Sequence, residues 1–376
     1  MTSDRPLTSI VIPTLNAGPD LALLLADLKD QHAPGPTEII VADSQSTDGS
    51  RAVAQEAGAR VLTIPRAQFN HGRTRNQAVA AAQGEFVALT VQDARPTDPF
   101  WLARLLEPLL QDPSVAGSYG LQVAREDSGL LARTRSALWC RAHRSAALQM
   151  LEDPERFGEM SPERRLDLIR FDNVTSCVRK SAWQGTPFPE IDYAEDMAWA
   201  REMVLQGYKL AHAPTAQVWH SHERGQYYEL RRAYVDGAVR VKLVDWPASP
   251  MTGREMFAAV RRLAFFLTTR RFDSFTDPEE IQEFLRAERY HYRDEHPTEP
   301  IRIYQATLGF ADAMAQTALQ IGPAEGFSEG AWIELFRFAL VAVTGQALGA
   351  ASTRNQTSAG ERLAWGLLDR LLARGV

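Results

Sequence analysis

Short apolar runs alternate with helical stripes through the amino-terminal part of this chain, and that alternation leaves few folds open. Ser9-Ile10-Val11-Ile12, closed by Pro13, reads as a buried parallel strand. Leu21, Leu24, Leu25 and Leu28 follow at i, i+3, i+4 and i+7, the stripe of an amphipathic helix. Glu38 to Ala42 gives a second strand and Val53 to Ala57 part of a second helix. Arg60 to Ile64 gives a third strand, Thr74 to Ala82 an Ala-rich helix, and Phe86 to Val91 a fourth strand. Repeated units of this kind specify an open α/β sheet with helices on both faces.

In such sheets ligands collect at the carboxyl ends of the strands. Those ends read Pro13-Thr14-Leu15-Asn16, Asp43-Ser44-Gln45-Ser46 and Gln92-Asp93-Ala94. No Gly-x-Gly-x-x-Gly follows the first strand and no P-loop sequence occurs, so neither a dinucleotide nor a P-loop fingerprint is present. From Tyr227 onward the periodicity is helical only, broken at Pro247, Pro250, Pro278, Pro297, Pro300 and Pro323, which implies a helical second module.

The 376 residues suffice for two domains, and 45% hydrophobic with 23% charged residues excludes wholesale disorder. A net charge of −6 and a pI near 5.8 argue against nucleic acid as a partner. Two cysteines, Cys140 and Cys177, cannot build a disulfide framework or a Cys-rich zinc site, and they fit a reducing, cytosolic setting. The amino terminus reads straight into a strand rather than a signal segment. Phe338 to Ala351 falls short of the ~20 residues needed to span a bilayer. The expectation is a soluble chain with room for peripheral membrane contact.

Several clusters offer chemistry. Asp43, followed by Ser46-Thr47-Asp48-Gly49-Ser50, is either a strand–turn–helix joint or part of a ligand pocket. Asp93 either starts a turn before Arg95-Pro96 or holds a hard divalent ion that also takes diphosphate oxygens. Phe69 to Asn76, FNHGRTRN, puts His71, Arg73 and Arg75 before a helix, as an anion site or a solvated basic loop. Glu195 stands three residues after Asp192, the spacing of a capping box, which leaves Asp196 as a general base or as one more acid facing the helix dipole. Strand alternation then groups His220 and His222 with Ala216 and Val218 on one face, as metal ligands or proton carriers, or as structural histidines.

Taken in order, TSIVIPTLN, EIIVADSQSTDGS, FNHGRTRNQAV, GEFVALTVQDA, PEIDYAEDMAWA and VWHSHE resemble a family-2 glycosyltransferase of the GT-A fold, in its rhamnosyltransferase-like branch. The resemblance covers residues 7 to 245. It implies a mixed, mostly parallel open sheet in a catalytic domain over residues 1–245, followed by an all-helical module over 246–376. Within the first, residues 1–125 would take the nucleotide-sugar and 126–245 the acceptor.

By position, Pro13, Thr14, Asn16, Asp43, Ser46, Arg75 and Gln92 would line the donor nucleotide site. Asp93, matching the last acid of an Asp-x-Asp motif, would bind Mn or Mg with His220 and His222. Asp196 would be the catalytic base, and His71, Arg73, Glu195 and Trp199 would contact diphosphate or acceptor. The motif lacks its first acid, since Gln92 precedes Asp93, and the Gln-x-x-Arg-Trp motif of processive synthases is absent.

The expected activity is inverting transfer of a sugar, rhamnose as the leading choice, to a glycan or lipid-linked acceptor. Two alternatives stay open: a non-catalytic saccharide- or partner-binding protein, and a sugar-phosphate nucleotidyltransferase. In the helical module, Phe257, Arg261, Arg262, Phe265, Phe266, Arg270, Arg271 and Phe272 would lie on an anionic membrane or pack internally. Leu335, Leu340 and Leu348 would form core or a homodimer interface.

Overall fold

The computed structural model describes residues 6–247, 299–321 and 331–355. The aromatic and basic run from Phe257 to Phe272 lies outside them. The chain divides into two compact units: Met1–Arg125 with Trp139–Ser221, and Glu126–Leu138 with His222–Val376.

The first unit is built on a nine-stranded sheet. Its strands are β1 (Thr8–Thr14), β2 (Thr37–Asp43), β3 (Arg60–Thr63), β4 (Phe86–Thr90), β5 (Arg95–Pro96), β6 (Val115–Val123), β7 (Ala147–Gln149), β8 (Thr175–Arg179) and β9 (Lys209–Trp219). They lie in the order β3-β2-β1-β4-β8-β6-β9-β5, with β7 paired to β9. The amino-terminal strands β3, β2, β1 and β4 are all parallel, as the βα alternation requires. β8 then enters antiparallel between β4 and β6, while β6 and β9 are parallel to each other. That entry is what brings residues near 172 beside the carboxyl ends of the first four strands.

Ile10, Val11 and Ile12 are fully buried, as expected of a strand covered on both faces. Ile10 and Ile12 share a core with Leu21, Leu24, Leu25 and Leu28 of α1 (Gly18–Lys29) and with Trp101, Leu102, Leu105 and Leu106 of α4 (Trp101–Gln111). Between them come α2 (Ser50–Glu56) and α3 (His71–Ala81). α3 starts earlier than the Ala-rich pattern suggests because Asn70 caps it, its Oδ1 accepting from the Arg73 amide at 3.0 Å. The unit is completed by the end of α5 (Leu130–Ala142), α6 (Pro162–Leu168), α7 (Lys180–Gly185) and α8 (Glu195–Leu205).

Among the described residues the second unit is helical. It holds α9 (Gln226–Val244), α10 (Glu299–Ile321) and α11 (Ala331–Asn355). Pro300 opens α10 instead of breaking it, since the first turn needs no proline N–H. α9 and α11 pack backbone to backbone: a Cβ at Gly237 would overlap the Gln346 carbonyl, and one at Gly349 the Tyr234 carbonyl. Leu335, Leu340 and Leu348 are buried within this unit, so none of them is left facing outward for a second copy. The stretch Glu334–Thr353 of α11, with mean hydropathy 1.3, is longer than the run read from sequence and reaches membrane-spanning length. Inside the protein 67% of it is buried, as in the core helix of a bundle.

Candidate active site

The carboxyl ends of β1 and β2 are tied to each other through their loops. Asn16 sits in the left-handed region (φ 49°), which a short polar side chain tolerates. Its amide donates to Ser46 Oγ at 2.9 Å and its Oδ1 accepts from the Thr47 amide at 2.8 Å. The Ala17 amide donates to Ser50 Oγ at 2.9 Å and the Gly18 amide to Asp48 Oδ2 at 2.8 Å. Asp43 is 1% exposed and accepts from the Ser46 amide at 3.2 Å, so the joint reading of this residue is physically met. Thr14 is buried, and Pro13 lies beside it at the strand end.

Gln92 clamps the first loop. Its Oε1 accepts from the Leu15 amide at 2.7 Å and its Nε2 donates to the Leu15 carbonyl at 3.2 Å. A carboxylate could accept the first bond but not donate the second, a physical reason for Gln where the Asp-x-Asp motif has an acid.

His71, Arg73 and Arg75, expected ahead of the helix, lie in the first turns of α3 and make contacts within the protein. Arg75 is 4% exposed and its guanidinium donates to Glu195 Oε1 at 2.6 Å. His71 Nδ1 lies 3.4 Å from the same guanidinium. Arg73 pairs with Glu190 at 2.7 Å on the surface. Gly72 is required because a Cβ would overlap the Pro189 carbonyl, so α3 packs directly on the segment leading into α8. Arg75 thus holds Glu195, the residue beside Asp196.

Glu195 is the first residue of α8, and the residue at its N-cap is Ala194, not Asp192. The capping box does not form, because Ala194 turns the chain through the left-handed region (φ 62°). This turn delivers Glu195 into the buried pair and leaves Asp196 partly exposed. Asp196 Oδ1 accepts from the Met197 amide at 2.8 Å and Oδ2 from the Asn173 amide at 3.3 Å. Burial, then the adjacent charges of Glu195 and Asp172, push the Asp196 carboxyl up to about 7, with Arg75 and the Met197 amide opposing. Asn173, 1% exposed, also donates its side-chain amide to Glu195 Oε1 at 3.4 Å. Trp199 is fully buried, with Nε1 donating to the Thr186 carbonyl at 2.8 Å, so it is a core side chain.

Across the sheet, β4 and β9 bring Asp93 and His220 together. β9 ends at Trp219, so both histidines lie past the strand in the segment that follows it. His220 Nε2 stands 3.6 Å from Asp93 Oδ1, too far for a hydrogen bond. Two ligands of one ion, each at about 2.1 Å from it, stand roughly 3 to 4.2 Å apart. Asp93, His220 and His222 each offer an atom within 4.8 Å of the others. One carboxylate with two imidazoles suits Mn²⁺ better than Mg²⁺, which prefers oxygen alone. Arg125 braces the turn by donating to the Asp93 carbonyl at 3.0 Å. His220 Nδ1 meets Gln122 Oε1 at 2.6 Å, and Gln122 Nε2 donates to Asp172 Oδ2.

Gln122, Asp172 and Asn173 were invisible to motif reading. Their one signal was Asp172-Asn173 set between apolar Phe171 and Val174 just ahead of a strand.

The family model described as Glycosyl transferase family 2 matches residues 9–182. The chain is 30% identical over 234 residues to the O-antigen chain rhamnosyltransferase RfbN of Salmonella typhimurium, covering 61% of this chain and 71% of that protein. The chain belongs to glycosyltransferase family 2. Among its relatives in that family is the O-antigen chain rhamnosyltransferase WbaN of Salmonella anatum, 28% identical over 62% of this chain and 71% of the relative. The structure is also similar to a mannosyltransferase from Pyrobaculum calidifontis solved with GDP-Man and Mn²⁺. That match has a TM-score of 0.50 and 18% identity, covering 95% of this chain and 89% of the other, and it establishes the GT-A fold. Like other family-2 glycosyltransferases, this protein is an enzyme.

Proposed function

We propose that this family-2 enzyme transfers a rhamnosyl unit, with inversion, from a nucleoside diphosphate donor to a hydroxyl of a glycan or lipid-linked acceptor. The observation that carries the reading is Asp196, a carboxyl that burial first, and then the adjacent charges of Glu195 and Asp172, raise to about 7, where a general base works best at neutral pH. The names of the two Salmonella relatives favour rhamnose and a surface polysaccharide.

Asp196 takes the acceptor hydroxyl proton as that oxygen bonds to the anomeric carbon. The bond from that carbon to the diphosphate breaks, and the leaving group keeps its electron pair. Asn173 holds the carboxylate toward the reaction by its backbone amide. Asp93, His220 and His222 would hold Mn²⁺, which when bound offsets the charge growing on the diphosphate. The rim of Pro13, Thr14, Asn16, Asp43 and Ser46 receives the nucleoside, and residues 126–245 supply the acceptor side. A reducing, cytoplasmic setting is in keeping with Cys140 and Cys177, both free thiols.

Asp196→Asn tests the assignment. Transfer is expected to fall by at least a thousandfold while donor binding, read as a thermal shift with Mn²⁺, stays within threefold. Wild-type turnover in that variant removes Asp196 as the base. Running the shift across thymidine, uridine and guanosine diphosphates names the nucleoside. No shift with any of them removes the donor reading.

A further inference from the structure

The geometry points to Gln122 and Asp172 as positioning residues that set the proton on His220, fixing its Nδ1–H form so that Nε2 is presented as a lone pair toward Asp93. The inference deepens the metal reading above and rests on it. An imidazole binds a metal only through an unprotonated nitrogen, and which nitrogen that is depends on the partner of the other.

Each link in the chain has one allowed direction. The Val174 amide donates to Asp172 Oδ1 at 2.9 Å, and Asp172 Oδ2 faces Gln122. A carboxylate only accepts, so Gln122 must turn its NH₂ toward Asp172. Gln122 Oε1 is then the atom at 2.6 Å from His220 Nδ1, and an amide oxygen only accepts. The proton of the neutral ring therefore sits on Nδ1, and Nε2, 3.6 Å from Asp93 Oδ1, is then the nitrogen that carries the lone pair.

Neither residue lies next to Asp93 or His220 in sequence. β6 places Gln122 opposite Val218 of β9, two residues before His220, and the turn into β8 places Asp172. Through the backbone between Asp172 and Asn173, the same loop also carries the amide that holds Asp196. One loop thus sets both the ligand form of His220 and the orientation of the base.

Asp172→Asn makes a sharp test. The Val174 amide would hold the new side chain's oxygen and turn its NH₂ to Gln122. Gln122 would then flip and present its own NH₂ to His220 Nδ1, driving the proton to Nε2. The readouts are the ¹⁵N-histidine NMR spectrum of the metal-free protein at pH 8 and Mn²⁺ affinity measured without nucleotide. Wild type should show His220 as the Nδ1–H tautomer, and Asp172→Asn as Nε2–H with Mn²⁺ binding weakened tenfold or more. Gln122→Met, which removes both bonds at similar volume, should weaken Mn²⁺ comparably.

His220→Ala separates the failures. If His220→Ala lowers Mn²⁺ affinity while Asp172→Asn and Gln122→Met do not, the relay is wrong and the metal site stands. If His220→Ala binds Mn²⁺ like wild type, His220 is no ligand and both readings fall. The same tautomer in wild type and Asp172→Asn also overturns the relay.

Discussion

Two loops at the carboxyl rim of one sheet are built on opposite principles. Between β1 and β2 every named polar group has a partner of the right kind: Asn16 with Ser46 and Thr47, Ala17 with Ser50, Gly18 with Asp48. Both loops contain a non-glycine residue in the left-handed region, but Asn16 uses its side chain to hold the turn and Ala194 has none to use. Around Ala194 the acids Asp172, Glu195 and Asp196 are crowded together with one buried arginine, Arg75, to offset them. The first loop is organised for stability, and the second holds strain and charge that a fold seeking only stability would shed. Strain and crowded charge of this kind are what a site kept for chemistry tolerates, in line with the role proposed for Asp196.

The largest break should come from removing Arg75, the cation that offsets these acids. Arg75→Met leaves Glu195 buried without its partner and should cost about 3–5 kcal/mol in urea unfolding. A cost under 1 kcal/mol would mean that the pair contributes little.

The next effect has the opposite sign. The Asp196 carboxyl is raised in the folded protein, so below about pH 4 it is protonated in both states and costs nothing. As pH climbs to about 7 the unfolded chain releases this proton first, and stability falls. Asp196→Asn should therefore be more stable than wild type at pH 8, by on the order of 2 kcal/mol, with the gain fading toward pH 4. A variant less stable than wild type at pH 8 would show the crowding to be harmless.

The quieter loop should respond in the ordinary way. Ser50→Ala strips the acceptor from the buried Ala17 amide and should cost about 1–3 kcal/mol at any pH. Smallest is Ala194→Gly. Relief of a left-handed alanine, about 1–2 kcal/mol, is offset in part by glycine's extra freedom when unfolded, leaving roughly 0.5–1 kcal/mol of stabilisation. No gain would mean that the turn is unstrained.

The same contrast explains what could be read from the sequence. β1, β2, β4 and α1 follow from local periodicity, and burial of Ile10 to Ile12 and of Leu21, Leu24, Leu25 and Leu28 is what that pattern records. The rim between β1 and β2 is only partly local: Asp43 accepting from the Ser46 amide is a turn bond, but Ser46, Asp48 and Ser50 hold the loop after β1 and do not cap α2, whose N-cap is Gly49. The charged loop is not local at all. Arg75 and Glu195 are 120 residues apart, and nothing near either one tells that they pair. The Asp192 to Glu195 spacing was right for a capping box, yet tertiary packing against Gly72 and Arg75 overrode it and moved the helix start to Glu195. Gln122 and Asp172 matter only because β8 runs antiparallel between β4 and β6, a topology that alternation of strands and helices does not encode.

The most direct test of the account is the pH dependence of kcat/KM for sugar transfer, in wild type and in Glu195→Gln. It should rise with pH along an acid limb centred near 7 in wild type, reporting Asp196 in the free enzyme. In Glu195→Gln, where one repelling charge is gone and Arg75 is released, the limb should move to lower pH. A profile flat down to pH 5, or a limb that Glu195→Gln leaves in place, would contradict the claim that burial and the adjacent acids make Asp196 the base.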